Sequence, residues 1–127
     1  MKLSPHFDSS EFCCHCCGQC TQISGDLINQ LEELSEAFAI YGKRASVTIT
    51  SGYRCPKHNK AVGGAPNSQH MQGIAADIKV KSSVGETIAP AKIADYLEKK
   101  YPDSHGIGRY KSWVHFDVRP HKARWNG

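Results

Sequence analysis

Between Asp26 and Tyr41, Leu27, Ile28, Leu31, Leu34, Phe38 and Tyr41 recur as apolar positions, with Glu32, Glu33 and Glu36 between them. Spacings of three and four residues lay one apolar stripe along a helix and turn the acids to solvent. Ser24 stands where an N-cap is needed, and Gly42 followed by Lys43 and Arg44 reads as a stop. Val47-Thr48-Ile49-Thr50 instead alternates β-branched residues, which predicts a strand running into Ser51-Gly52-Tyr53-Arg54. Pro56 to Val62 reads as a short helical turn ended by Gly63-Gly64, and Gly73 to Val80 as a second strand. A second amphipathic helix is predicted over Ile88 to Tyr101, with Ile93, Ala94, Leu97 and Tyr101 on one face. Gly106 to Tyr110 and Trp113 to Arg119 are two closing strands. The pattern predicts a single α+β domain over residues 1–127, built as a small antiparallel sheet with flanking helices. Residues 1–24 form an irregular Cys-rich segment ahead of a core over 25–127.

Charge narrows the partners. The net charge is +4 and the pI about 8.8, which suits a polyanionic partner such as nucleic acid or an anionic cell wall. The Lys and Arg residues are scattered, without a basic stripe interleaved with aromatics, so nucleic-acid binding is not expected. No window approaches the roughly 20 apolar residues that span a bilayer, so no membrane partner is expected. No apolar stretch of signal-peptide length follows Met1-Lys2-Leu3-Ser4-Pro5-His6, which leads us to expect synthesis in the cytoplasm without a signal peptide. A monomer is expected.

Five of the six cysteines lie between positions 13 and 20, and only Cys55 stands apart. Cys13/Cys16, Cys14/Cys17 and Cys17/Cys20 have the C-x-x-C spacing of tight metal turns. Three readings stay open: a second, structural zinc held by Cys13, Cys16, Cys17 and Cys20; a disulfide; or free thiols. A reducing cytosol favours thiols or metal over disulfides.

A second constellation lies in Ser68-Gln69-His70-Met71-Gln72-Gly73-Ile74-Ala75-Ala76-Asp77 and in Trp113-Val114-His115-Phe116-Asp117-Val118-Arg119. A catalytic zinc site takes three nitrogen or carboxylate ligands and leaves a fourth position to water. Gly73 permits a bend that brings a loop residue, His70, and a strand residue, Asp77, toward one ion. Asp77 alternates with Ala76 and Ile78, and a carboxylate in such a strand calls for a partner, because burying a lone charge is costly. His115, Asp117 and Arg119 share one face of the last strand. The plainer reading is a solvated edge, or an Asp117–Arg119 ion pair.

S-x-H-x-x-G-x-A-x-D followed by V-H-x-D-x-R resembles the zinc D-alanyl-D-alanine carboxypeptidase family, whose fold is shared with the hedgehog signalling domain and several phage endolysins. The resemblance extends to Thr50-Ser51-Gly52-Tyr53-Arg54, Asn59, Val62-Gly63-Gly64-Ala65, Gly106-Ile107-Gly108-Arg109-Tyr110 and Ala123-Arg124-Trp125, and so runs from about Val47 to the C-terminus. The opening Leu3-Ser4-Pro5-His6-Phe7 and Glu11-Phe12-Cys13 resembles small, often phage-borne members. It implies a hedgehog/DD-peptidase-like fold and one catalytic Zn2+ on His70, Asp77 and His115. It also implies Arg54 as the group that steadies the substrate oxyanion, and Ser68 as a hydrogen-bonding partner of the substrate backbone. The substrates implied are peptidoglycan stem peptides, cut at the terminal D-Ala-D-Ala bond or internally, with action at the cell wall or periplasm.

The chain departs from many relatives at one point. The general-base carboxylate three residues before the last zinc histidine, or the His two before it, is here Ser112 or Trp113. Asp117 is then the nearest carboxylate and the candidate base, or else a group that orients His115. Tyr53, Tyr110 and Trp113 are aromatics placed either to line a groove or to fill the core. A non-catalytic, hedgehog-like zinc module that binds a partner is the competing reading, and a nucleic-acid-binding protein built on the cysteine cluster is a third.

Overall fold

A computed structural model describes residues 2–127. Ser24 Oγ accepts the Leu27 N–H and starts helix α1 (Gly25–Ala37), which buries Leu27, Ile28, Leu31 and Leu34. These are the residues of the apolar stripe. Burying each such side chain stabilises the fold by roughly 1.5–3 kcal/mol. The helix stops short of Tyr41 for a local reason. Ile40 and Lys43 exchange both backbone hydrogen bonds across Tyr41 and Gly42, which have φ of 54° and 74°. Two successive positive φ angles make the reversal that suits a twisted hairpin. Gly42 therefore serves a turn rather than a helix stop, and Tyr41 is 90% exposed, off the stripe.

The other elements follow in order: β1 (Ser46–Ser51), α2 (Pro56–Ala61), β2 (Ala75–Lys81), α3 (Pro90–Lys100), β3 (Gly106–Arg109), β4 (Val114–Asp117) and β5 (Ala123–Asn126). The sheet order is β1-β2-β4-β3-β5. Its first three pairings are antiparallel, as expected, while β5 lies parallel to β3 and makes the sheet mixed. The sequence reading did not anticipate β5, which, unlike β3 with Ile107 and β4 with Val114, holds no β-branched residue to mark it as a strand. Among the described residues three α-helices accompany the five strands, an α+β architecture. Among the described residues no helix is long and apolar enough to cross a membrane.

Register decides which side of the sheet does what. Ala76, Phe116 and Ile107 form one cross-strand row and Ile78 faces Val114. All five are at most 1% exposed and share a core with Leu31 of α1 and with Ile93 and Leu97 of α3. Neighbouring strand residues face opposite sides. The adjacent row, Asp77–His115–Gly108–Trp125, therefore faces away from the core. The N-terminal segment adds Phe7 and Phe12 to the core and pairs Phe12 O with Tyr53 N–H at 2.8 Å.

Candidate metal centre

Asp77 and His115 are direct cross-strand partners on β2 and β4, so their side chains meet by register alone. His115 Nδ1 lies 3.1 Å from Asp77 Oδ1. His70 arrives from a different element, a single 3₁₀ turn over Gln69–Gln72. Ser68 Oγ caps that turn by accepting the His70 N–H at 3.2 Å, and Gly73 ends it at φ 72°. A side chain is excluded at Gly73 twice over: by the left-handed conformation, and by Gln22 O, which an added Cβ would approach to 2.4 Å. His70 is fully buried, with Nε2 3.2 Å from Asp77 Oδ1.

The far nitrogen of each imidazole is tied down. His70 Nδ1–H donates to Gly52 O at 2.7 Å. Thr50, left out of register between the Ile49–Ile78 and Ser51–Asp77 pairs, forms a bulge in β1 just ahead of that carbonyl. His115 Nε2–H donates to Asp117 Oδ2 at 2.6 Å. These two acceptors fix the tautomers so that the near nitrogens turn lone pairs toward Asp77 Oδ1. Three lone-pair donors facing one another need a cation between them, a proton or a metal. The three ligand atoms lie within 4.8 Å of one another. Their separations of 3.1 and 3.2 Å approach the roughly 3.3 Å edge of a tetrahedron with ~2.0 Å metal–ligand bonds. The donor set thus fits a zinc ion with one position open to the cleft.

Electrostatics agree with this grouping. Burial opposes ionisation of Asp77, but with no metal between them and a proton on the near nitrogens, hydrogen bonds and charge from His115 and His70 outweigh it and hold the carboxyl well below the usual range. Burial likewise works against a charged His115, while Asp117 and Asp77 push its pKa upward.

Asp117, the candidate base, sits elsewhere than that role requires. It has no exposed surface, and donors occupy both oxygens. Gly106 N–H, Arg119 N–H and Arg119 Nε reach Oδ1, while His115 Nε2 and Arg119 Nη2 reach Oδ2. A general base must touch the attacking water, and this carboxylate lies behind His115, off the cleft lining. The expectation of a base at Asp117 is therefore corrected to its alternative, a group orienting His115. The Asp117–Arg119 pair foreseen as the plainer reading is present as well. Gly106 makes room for it, since an added Cβ would stand 2.2 Å from Asp117 Oδ2.

The centre forms part of the lining of a cleft of about 460 Å³. Arg54 lines one side, and its buried Nε has no hydrogen-bond partner among the described residues. Burial lowers its pKa, and the Asp77 charge offsets part of that effect. Ser68 lines the same cleft. Tyr110 and Trp113 stack with ring centroids 4.6 Å apart, and Trp125 Nε1–H donates to Tyr110 Oη at 2.9 Å. All three aromatics face the cleft, whereas Tyr53 does not. Trp125 and Arg119 belong to this wall and were not among the expected site residues. Arg119 was already legible on the face of His115, but Trp125 sits on the unforeseen β5.

The cysteines regroup. Cys13 and Cys20 are joined in a disulfide, which removes them from the expected set of metal ligands. Cys16 and Cys17 assemble instead with Cys14 and Cys55. Burial opposes ionisation of Cys14, yet backbone N–H groups of Cys55, Cys16 and Cys17 bring its pKa down to about 6. The thiol hydrogen bond with Cys55 raises Cys16 to about 12.

No curated protein matches the chain. A family model described as Peptidase M15 matches residues 5–117, which takes in the N-terminal segment, His70, Asp77, His115 and Asp117. The chain belongs to the peptidase M15 family.

Proposed function

We propose that this protein is a zinc metallopeptidase that hydrolyses peptide bonds in peptidoglycan stem peptides, as a D-alanyl-D-alanine carboxypeptidase or an endopeptidase of endolysin type. The observation that carries the reading is the convergence of His70 Nε2, Asp77 Oδ1 and His115 Nδ1 at a cleft that also holds Arg54, whose buried Nε has no hydrogen-bond partner among the described residues. When bound, zinc supplies Lewis-acid polarisation of the scissile carbonyl and activation of water. Arg54 offers its free N–H to the carbonyl oxygen as negative charge develops there. Ser68 Oγ already accepts the His70 N–H and keeps its own proton for a substrate carbonyl. Asp117 accepts the His115 Nε2–H and so holds the ring with its near nitrogen toward Asp77. The stacked Tyr110 and Trp113, with Trp125, form an apolar wall for the methyl-bearing D-Ala residues.

One observation favours a second reading, a non-catalytic zinc module that binds a wall peptide. Asp77 is the only carboxylate among the described residues that line the cleft, and it is spoken for as a ligand. Incubation of the protein with purified peptidoglycan, with and without a chelator, and mass analysis of the fragments separate the two. Chelator-sensitive release of D-Ala or of shortened stem peptides supports the peptidase. Zinc-dependent binding to peptidoglycan with no fragment released supports the module.

A further inference from the structure

The sulfurs of Cys14, Cys16, Cys17 and Cys55 all lie within 4.8 Å of one another. Three come from one tight loop, closed by Cys14 N–H to Gln19 O at 2.7 Å and Gly18 N–H to Cys14 O at 2.8 Å. Gly18 adopts φ 70°, which lets the chain turn back so soon. The disulfide between Cys13 and Cys20 fastens the two ends of this loop. The fourth sulfur comes from the residue that caps α2, far along the chain.

The distances are those of a ligand set rather than of a disulfide. Cys16 Sγ and Cys55 Sγ are 3.7 Å apart. A tetrahedron with ~2.3 Å zinc–sulfur bonds has edges of roughly 3.8 Å, while a disulfide needs about 2.05 Å. Backbone donors also point at the sulfurs: Cys55 N–H toward Cys14 Sγ at 3.5 Å, and His58 N–H toward Cys55 Sγ at 3.3 Å. Such N–H···S contacts support thiolates that carry charge. Two of the four cysteines are buried and two are exposed, so an ion has a path in and the cluster sits at the surface.

We propose that Cys14, Cys16, Cys17 and Cys55 form a tetrathiolate site for a structural zinc ion, additional to the His70–Asp77–His115 centre. The site clamps the N-terminal segment to the start of α2. The segment between β1 and Cys55 is the one that presents Gly52 O to His70 and carries Arg54, whose backbone N–H donates to His70 O at 3.2 Å. An added Cβ on Gly52 would come within 2.6 Å of Phe12 Cα, which shows how closely the two segments pack. The second ion thus braces the wall of the cleft from behind without touching substrate.

The test reads metal, so it does not depend on the peptidase assignment. Full-length protein purified after growth with zinc is expected to carry two ions per chain by elemental analysis. His115→Ala is expected to keep one, and Cys16→Ser/Cys17→Ser to lose one. Cobalt(II) loaded into the His115→Ala chain is expected to give an intense sulfur-to-cobalt charge-transfer band and the strong visible bands of a tetrahedral thiolate site. That spectrum uses a chain with all six cysteines intact, so it is read even where the cysteine variant fails to fold. The assignment is overturned if His115→Ala binds neither zinc nor cobalt, or if the cobalt spectrum lacks thiolate bands. Peptide mapping without reductant that finds Cys16 or Cys55 in a disulfide overturns it equally.

Discussion

At the scale of residues, the site is a set of near nitrogens aimed by what holds their far nitrogens. Removing one holder should therefore act through the metal. Asp117→Asn is expected to weaken zinc binding by about 10–100-fold, with activity falling in step with occupancy and returning at high zinc. A competitive-chelator titration run beside the peptidase assay reads both quantities. Full occupancy with activity still lost by orders of magnitude would reinstate Asp117 as a base. Arg54→Gln should show the opposite split: zinc content unchanged, with kcat reduced roughly 10²–10³-fold as expected for a lost oxyanion donor. The sequence exposed this logic unevenly. Asp77 and His115 stood out because polar residues interrupt apolar strands, and the cross-strand register explains why the two meet; His70, in a turn, stood out only through the S-x-H-x-x-G-x-A-x-D resemblance. The role of Asp117 depends on a direction, toward the back of the His115 ring, and a direction is not encoded in spacing.

At the scale of elements, α1 is anchored through Glu32. Its carboxylate accepts from Ser4 Oγ, from His6 N–H at 2.8 Å and from Arg44 Nη2 at 2.7 Å, and it pairs with His6 Nδ1 at 2.8 Å. The periodicity assigned Glu32 to the solvent face, and it is instead only 15% exposed, covered by the N-terminal segment. That segment has no period of its own, so its place against α1 was invisible in sequence. Burial opposes the charge on Glu32, but the Ser4 and His6 hydrogen bonds outweigh it and lower its pKa. A depressed folded-state pKa adds stability that is complete above the unfolded value of about 4.3 and is lost as pH falls through the lower folded value. Glu32→Gln is accordingly expected to cost about 1–3 kcal/mol near neutral pH. In urea unfolding the gap between variant and wild type should narrow progressively once the pH drops below about 4. A gap that stays constant across that range would mean the contribution is packing and not charge.

At the scale of the whole molecule, the metal centre joins parts that local structure keeps separate. His70 belongs to a 3₁₀ turn, Asp77 to β2 and His115 to β4, and the unfolded chain does not hold them together. An ion bound only by the folded chain stabilises it by RT ln(1 + [L]/Kd), about 4 kcal/mol at a thousandfold excess over Kd. For a domain of this length each kcal/mol moves Tm by roughly 3–5 °C. Saturating zinc is therefore expected to raise the calorimetric Tm by roughly 10–20 °C. His115→Ala should lose the cleft ion's share of that rise, because two ligands from neighbouring elements retain the ion poorly, and should keep the share of the cysteine site. The rise should also fade as the medium is acidified, since His70 and His115 bind metal only when their near nitrogens are unprotonated. A rise of equal size in wild type and His115→Ala would place the stabilising ion outside the cleft. The cysteine clamp would then be the sole metal contribution to folding, and the cleft would lose its claim to a resident ion.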